Sequence, residues 1–202
     1  MKPRPLSCSS DRSLRLWNVH DETHLVFRGH KSAIDCAQYL TLDTYISSGE
    51  DGNICLWKES QKKPVSTIHC AHGMNGTIPH WITSMTSLKI SDLFATGSSN
   101  GYLNFWKGTG EKNGLELVNQ WQIGPGFING IALSSRFVVL GMGSEHRLGR
   151  WERVKSVRNR IELIKLPSEF VDEDQSNILD NSDNESGESG SGSEEEEDES
   201  ES

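Results

Sequence analysis

One short pattern recurs four times in this chain, and it constrains the possible fold more than any other feature of the sequence. The pattern is clearest before Trp57, where Ser47 lies ten residues and Asp51 six residues upstream. Comparable frames end at three other tryptophans, and subtraction of the residue numbers gives intervals of 40, 49 and 45 residues along the series Trp17, Trp57, Trp106 and Trp151. Repeats of this length are small structural units that bury their apolar faces against their neighbours.

The residues inside each frame predict a tight turn that leads into a strand. Asp51-Gly52 and Asn100-Gly101 are dipeptides that favour turns with positive φ. Residues 53–57 then alternate as a strand does, with isoleucine and leucine on one face and cysteine and tryptophan on the other. The equivalent positions are held by Ser7, Asp11 and Trp17, by Ser47, Asp51 and Trp57, by Thr96, Asn100 and Trp106, and by Gly141, Glu145 and Trp151.

With Gly29 and His30 upstream, the best-formed repeat resembles a WD40 blade, a four-stranded antiparallel sheet of a propeller. The resemblance implies that a hydrogen-bonded tetrad of His30, Ser47, Asp51 and Trp57 locks the blade. Serine, histidine and aspartate also form hydrolase triads. Here, however, the serine lies inside a predicted strand, not at a nucleophile elbow, and the acid lies in a turn. We therefore favour a buried structural network and predict no enzyme.

The predicted fold class is all-β: a partial WD40 β-propeller of about three and a half to four blades and a disordered acidic tail. Since propellers have about four to eight blades and the first unit begins in mid-blade, we expect the C-terminal part of a longer protein. A half-propeller that pairs with another chain is the alternative. The predicted units are a partial blade at 1–28, a blade at 29–70, a blade with long loops at 71–124, a degenerate blade with a basic segment at 125–167, and the tail at 168–202.

The net charge hides an asymmetry between the two parts of the chain. Residues 172–202 contain 14 Asp or Glu and no Lys or Arg, whereas residues 1–171 carry 20 basic against 15 acidic side chains, or about plus 5. This balance permits a polyanionic partner without requiring one. The acidic run has almost nothing to bury and predicts disorder. It either competes with a polyanionic partner for basic residues, recruits basic proteins or only increases solubility. Deletion of 172–202 distinguishes competition from the other two.

The four cysteines, Cys8, Cys36, Cys55 and Cys70, contain no Cys-x-x-Cys pair and fall mostly in apolar strand runs. They are expected to be small buried thiols, which suits a reducing compartment. The sequence contains no run of 18 apolar residues and no secretory leader, so we predict no membrane association and a cytosolic or nuclear location.

A cluster of potential metal ligands lies in the insertion before the third unit. His69, Cys70, His72 and His80 include residue types that bind zinc, but their spacing matches no common structural site. His72 is explained more simply as the blade-locking histidine of its unit. We therefore predict no metal and no cofactor.

The most unusual part of the chain is the segment from Gly141 to Arg160, called the basic segment below. Arginine forms bidentate contacts with phosphates and stacks on bases, and dense positive charge gives salt-dependent affinity for nucleic acid. Alternatively, half of these side chains line a solvated strand edge or pair with nearby acids. The candidate RNA contacts are His146, Arg147, Arg150, Arg153, Lys155, Arg158 and Arg160.

Several runs resemble the U3 small nucleolar RNA-interacting WD40 proteins over about residues 6–166. The most specific is GSEHRLGRWERVK in the basic segment; the others include FRGHKSAIDC at 27–36, WITSM at 81–85 and GFIN at 126–129. The family is expected to form a seven-bladed propeller. This chain departs from it in lacking the other blades and in carrying the acidic tail.

The same resemblance implies a function. It predicts a component of the U3 box C/D ribonucleoprotein that binds U3 small nucleolar RNA (snoRNA) together with a kink-turn-binding protein. The implied role is early pre-ribosomal RNA processing, with small-subunit processome proteins as further partners, in the nucleolus of the nucleus. No small-molecule substrate is expected. The alternative is a generic WD40 interaction module, such as a ubiquitin-ligase adaptor or chromatin reader, with the basic segment as ordinary surface.

Overall fold

The computed structural model describes residues 4–88, 91–109 and 114–167, which form strands, turns and loops. None of these residues belongs to a helix that is long and apolar enough to cross a membrane. The strands are β1 (Leu6–Cys8), β2 (Ser13–Asn18), β3 (Thr23–Arg28), β4 (Ile34–Tyr39), β5 (Thr44–Gly49), β6 (Ile54–Lys58), β7 (Ser66–Ile68), β8 (Met74–Asn75), β9 (Ile78–Pro79), β10 (Ile82–Ser87), β11 (Leu93–Ser98), β12 (Tyr102–Thr109), β13 (Gly114–Gln122), β14 (Phe127–Leu133), β15 (Phe137–Gly143), β16 (Glu145–His146), β17 (Gly149–Arg153) and β18 (Arg160–Lys165).

Three antiparallel sheets account for most of the chain up to Gln122. Their strand orders are β1-β2-β3, β4-β5-β6-β7 and β10-β11-β12-β13, so each strand pairs with its neighbour in sequence. These strands occur where the repeat frames predict them, with ends that differ by a few residues. The insertion before β10 contains a short hairpin, β8-β9, that the sequence pattern does not predict. The all-β fold class is confirmed.

The fourth sheet has an unexpected order. β15 pairs with β14 and then directly with β18, so that Val138 faces Ile164 across the ladder. β18 is therefore the outer strand of a three-stranded sheet, and the strand that contains Trp151 is not part of that sheet. β18 offers apolar partners to β15, whereas residues 145–153 are mostly charged or glycine. β16 and β17 instead form a separate hairpin, called the basic hairpin below.

The predicted turns depend on glycine at one position in particular. Gly101 has φ 77°, and a Cβ atom there would lie 1.7 Å from the carbonyl oxygen of Gly124. Gly52 occupies the equivalent turn with φ 64°. In the first unit, Arg12 has φ 66° without the conformational freedom of glycine.

The core lies between successive sheets. Trp57 and Tyr45 are 0% and 1% exposed, and full burial of a large apolar side chain contributes about 1.5–3 kcal/mol. The first strands of successive sheets, β4, β10 and β14, contact one another in that order, as inner strands do around a propeller axis. One buried cluster joins the first and second sheets through Leu14, Leu16, Phe27, Ile34, Tyr45, Cys55 and Trp57, and another joins the second and third through Leu40, Ile46, Ile54, Leu56, Ile82, Met85, Phe94 and Trp106.

Candidate nucleic-acid interface and the blade-locking residues

The second sheet brings together the four side chains expected to lock it. His30 Nδ1 lies 3.0 Å from each carboxylate oxygen of Asp51, and its Nε2 lies 2.8 Å from Ser47 Oγ. The Trp57 indole N–H donates to the same hydroxyl at 2.7 Å. Backbone N–H groups of residues 31 and 53 also donate to Asp51. One network thereby joins β5, β6, the turn between them and the loop that precedes β4.

Electrostatics strengthens this network. Burial alone lowers the pKa of His30, but the hydrogen bond to Asp51 and further contacts outweigh it and raise the pKa to about 9. Burial likewise raises the pKa of Asp51, yet the hydrogen bond and charge of His30 bring it below its ordinary value. The pair is therefore charged at neutral pH.

The connectivity of Ser47, His30 and Asp51 is that of a hydrolase triad, but the serine cannot meet a substrate. Ser47 is 0% exposed and its oxygen already accepts the indole N–H of Trp57. A nucleophile has to contact the carbon it attacks. These three residues therefore act as a structural network.

The third sheet contains an incomplete version of the same network. His72 Nε2 and the Trp106 indole nitrogen each lie 2.8 Å from Thr96 Oγ1. Asn100 donates to the carbonyl oxygen of His72 at 3.1 Å, and His72 Nδ1 is buried without a hydrogen-bond partner among the described residues. Burial, with the charge of His80, lowers the pKa of His72 to about 3. The asparagine thus leaves this buried nitrogen unsatisfied within the described part of the chain.

In the first unit, the frame residues form hydrogen bonds but do not form a buried network. Trp17 donates to Ser7 at 2.8 Å, but the tryptophan is 37% exposed. Asp11 accepts from the backbone of Ser13 and from Arg15 at 2.7 Å. This unit therefore relies on exposed local hydrogen bonds.

The backbone of the fourth unit places the residues of its frame in different strands. Glu145 lies in β16, and Gly141 lies in β15 facing Ile161 of β18. The side chain of Trp151 lies outside the described residues. The cause is the direct pairing of β15 with β18, which leaves the strands of Glu145 and Trp151 outside the sheet that contains Gly141.

The residues considered for zinc have other contacts. His72 bonds Thr96, and His69 Nδ1 lies 3.2 Å from Asn53 Oδ1. In the part of the chain that the structure describes, no group of three or more His, Cys, Asp or Glu is placed to hold a metal ion.

The candidate RNA contacts divide into an exposed set and a structurally committed set, and Arg147 belongs to the second although it is also exposed. Arg153, Lys155 and Arg158 are exposed, and Arg153 Nε lies 3.4 Å from Glu145 Oε1. Arg160 is half-buried, with its Nε 2.6 Å from Glu162. The backbone of Arg150 lies in β17, but its side chain is outside the described residues.

His146 requires a correction, because it is buried. It is 4% exposed, and its ring stacks on Trp81 with 3.9 Å between ring centroids and 18° between planes. Phe127 meets the same ring edge-on at 6.1 Å. Burial and the neighbouring Arg147 lower the pKa of His146 to about 4, so it is neutral at pH 7. The prediction that it contacts RNA directly fails for lack of accessible surface.

Arg147 connects the basic hairpin to a distant part of the chain. Its guanidinium donates to the carbonyl oxygen of Asp35 at 3.0 Å and lies 3.8 Å from the sulfur of Cys36, both in β4. Its backbone N–H donates to Asn129 Oδ1 at 3.1 Å. Arg147 therefore has a structural role in addition to its charge.

Comparisons with known proteins agree with this architecture. The family model for the WD domain, G-beta repeat, matches residues 22–58. The U3 small nucleolar RNA-interacting protein 2 of Homo sapiens is 40% identical over 152 residues, which cover 72% of this chain and 32% of that protein. The structures of U3-55K and of RRP9 WD40 repeats superpose with TM-scores of 0.75 and 0.76, each at 36% identity over 80% of this chain and 51% of the solved chain.

The chain belongs to the family of U3 small nucleolar RNA-interacting WD40 proteins. It spans about a third of the length of the curated relatives in this family and about half of the two solved chains. The basic segment falls within the part that the structure describes, whereas the acidic run at 172–202 lies outside it.

Three residues of the site in this family member were missed by reasoning from charge. Asp35, Trp81 and Asn129 hold the basic hairpin, but none is basic. Each stands in a run that carried the family resemblance, at 27–36, 81–85 or 126–129. That coincidence was the available signal, since spacing along the sequence does not indicate which of these runs meet in space.

Proposed function

We propose that this chain is a non-enzymatic component of the U3 box C/D small nucleolar ribonucleoprotein. In this role it binds U3 snoRNA together with a kink-turn-binding protein and contacts other small-subunit processome proteins. It acts in pre-ribosomal RNA processing for the small ribosomal subunit, in the nucleolus of the nucleus. The observation that carries the proposal is a set of exposed cations in a chain whose relatives are named for interaction with U3 RNA.

The geometry supports Arg153, Lys155 and Arg158 as the phosphate-contacting set. The side chain of Arg153 is 65% exposed, and its ion pair with Glu145 at 3.4 Å is of the surface type, worth about 0–1 kcal/mol. A phosphate competes well with such a pair because it accepts two parallel hydrogen bonds from a guanidinium. Lys155 and Arg158 lie in the exposed loop that follows β17. Arg150 belongs to the proposal by its position in β17 alone.

Two other cations of the segment contribute charge from committed positions. Arg147 is held against β4, and Arg160 is paired with Glu162. Both add to the local positive potential that attracts a polyanion. Neither residue is proposed to contact an RNA phosphate directly.

The proposal assigns no catalysis to the triad-like group, for a physical reason. The triad-like group around Ser47 is buried, and its hydroxyl is occupied by Trp57. A role in binding also explains why the basic hairpin lies outside the sheet ladder, where its sequence does not have to satisfy strand pairing with β15.

The experiment is an RNA pull-down with the full chain. Wild-type protein is incubated in nuclear extract, and retained RNA is probed for U3 and for an unrelated box C/D RNA. The variant Arg153→Ala, Lys155→Ala, Arg158→Ala is expected to lose most U3 retention. With a purified U3 transcript, the slope of log affinity against log salt should fall by about 0.7–0.9 for each phosphate that the variant no longer neutralises.

A matched variant controls for net charge. Lys62, Lys63 and Lys165 are exposed and lie outside the basic segment. Their combined replacement by alanine removes the same charge and should leave U3 retention nearly unchanged. Equal losses of U3 retention in both variants would show that the interaction is nonspecific electrostatic attraction. Absence of U3 RNA from the wild-type pull-down would favour the generic protein-interaction module.

A further inference from the structure

The basic hairpin is attached to inner parts of three consecutive sheets through Asp35, Trp81 and Asn129, which the charge pattern does not include. We propose that Asp35, Trp81, Asn129, His146 and Arg147 form an anchor that fixes the orientation of the hairpin, so that its exposed cations are preorganised for RNA. The inference rests on the proposed function for its RNA readout.

Asn129 of β14 holds the backbone on both sides of His146. Its side-chain amide donates to the carbonyl oxygen of Glu145 at 2.7 Å, and its carbonyl oxygen accepts the N–H of Arg147 at 3.1 Å. Two opposed hydrogen bonds from one amide fix both the position and the direction of the hairpin strand. This is the first attachment.

The second attachment is the stack of His146 on Trp81, immediately before β10. The 3.9 Å centroid distance and 18° interplanar angle bring the two ring faces into contact, and Phe127 closes the edge. His146 Nδ1 accepts the N–H of Leu148 at 3.1 Å, which fixes the ring relative to the hairpin turn. The Trp81 indole N–H donates to the Asp35 carboxylate, so the tryptophan is itself oriented.

The third attachment is Arg147 on β4. Its guanidinium reaches the carbonyl oxygen of Asp35, whose carboxylate already holds Trp81. Asp35 therefore joins the second and third attachments into one connected group. Burial raises the pKa of Asp35, partly opposed by the hydrogen bond from Trp81 and the charge of Arg147.

These contacts explain how a hairpin outside the sheet ladder acquires a fixed orientation. β15 pairs directly with β18, so the hydrogen bonds of the sheet do not position residues 144–159, which connect the two strands. A fixed hairpin loses less conformational freedom when it binds than a loop that is ordered by its ligand. The anchor residues are thus positioning residues, and the exposed cations are the contacts.

The test uses two substitutions that leave the charge unchanged, Trp81→Leu and Asn129→Ala, in the full chain. Amide hydrogen exchange without RNA should become faster in residues 145–153, while thermal unfolding stays cooperative. Affinity for a U3 transcript should fall about 3- to 10-fold. Trp17→Leu, a tryptophan in the first sheet, is the matched control and should change neither quantity.

The outcomes separate the two proposals. Unchanged exchange in the hairpin of both variants would overturn the anchor, as would faster exchange with unaltered RNA affinity. If the wild-type chain fails to bind U3 RNA, the proposed function fails, and the exchange measurement still tests the anchor. If Trp81→Leu does not fold, Asn129→Ala decides the question alone.

Discussion

The Nδ1 atom of His30 lies 3.0 Å from both carboxylate oxygens of Asp51. In the third sheet, His72 has the same kind of partner at Nε2, but its Nδ1 is unsatisfied among the described residues because Asn100 donates to the histidine carbonyl instead. One molecule therefore contains the same network with and without a carboxylate. The two pKa values, about 9 and about 3, differ accordingly.

Asp51→Asn should destabilise the protein by about 1.5–3 kcal/mol, because it removes a charge-assisted hydrogen bond to a buried imidazole. Urea unfolding measures the loss. Glu50→Gln, one residue earlier and exposed, is the control and should change stability by less than about 0.5 kcal/mol. Equal effects of the two substitutions would contradict the role of the pair.

Asn100→Asp should raise the pKa of His72 well above about 3 and stabilise the protein by about 1 kcal/mol. The new carboxylate supplies an acceptor for Nδ1, as Asp51 does for His30. An NMR titration of the His72 ring reports the pKa directly. A His72 that stays neutral down to pH 3 in the variant would show that the carboxylate does not reach it.

Stability should be greatest near pH 6–7. The folded pKa of His30, about 9, exceeds its ordinary value of 6.5, so its contribution is complete below 6.5 and is lost as pH rises toward 9. His72 and His146 have folded pKa values of about 3 and 4, so their contributions are lost as pH falls from 6.5 toward 4. Urea unfolding at pH 4.5, 6.5 and 9 checks this, and Asp51→Asn should flatten the alkaline side.

Arg12→Gly should stabilise the protein by about 0.5–1 kcal/mol. Arg12 has φ 66°, a conformation that costs a non-glycine residue about 1–2 kcal/mol, and glycine removes this cost. Part of the stabilisation is lost because glycine gives the unfolded chain more conformational entropy. Thermal unfolding measures the change. Arg28→Gly, at the end of β3, should instead destabilise. A lower melting temperature for Arg12→Gly would show that the arginine side chain contributes more than its backbone costs.

The parts of the fold that the sequence predicts are those with local causes. The turn dipeptide Asp51-Gly52 and the alternation in β6 each depend on residues within a few positions of one another. The full tetrad of the second sheet followed from family resemblance. The missing partner of His72 is also a local effect, because Asn100 stands where the second repeat has Asp51.

The parts that the sequence did not predict depend on long-range pairing. The Trp151 frame has the right spacing, but β18 competes successfully for β15 because Ile164 meets Val138 across the ladder. His146 looked like a surface cation by its neighbours in sequence, yet Trp81 covers it. Spacing along the chain carries no information about which distant run will lie against a given side chain.

The bypass from β15 to β18 makes residues 144–159 an excursion whose two ends, Ser144 and Asn159, are clipped together by a hydrogen bond of 3.1 Å. Beyond the anchor residues His146 and Arg147, such an excursion can be lengthened, shortened or exchanged for another sequence while the β15–β18 ladder keeps its register. The sequence of this connection, and with it the ligand preference, can therefore change at little cost to the folding of the blade.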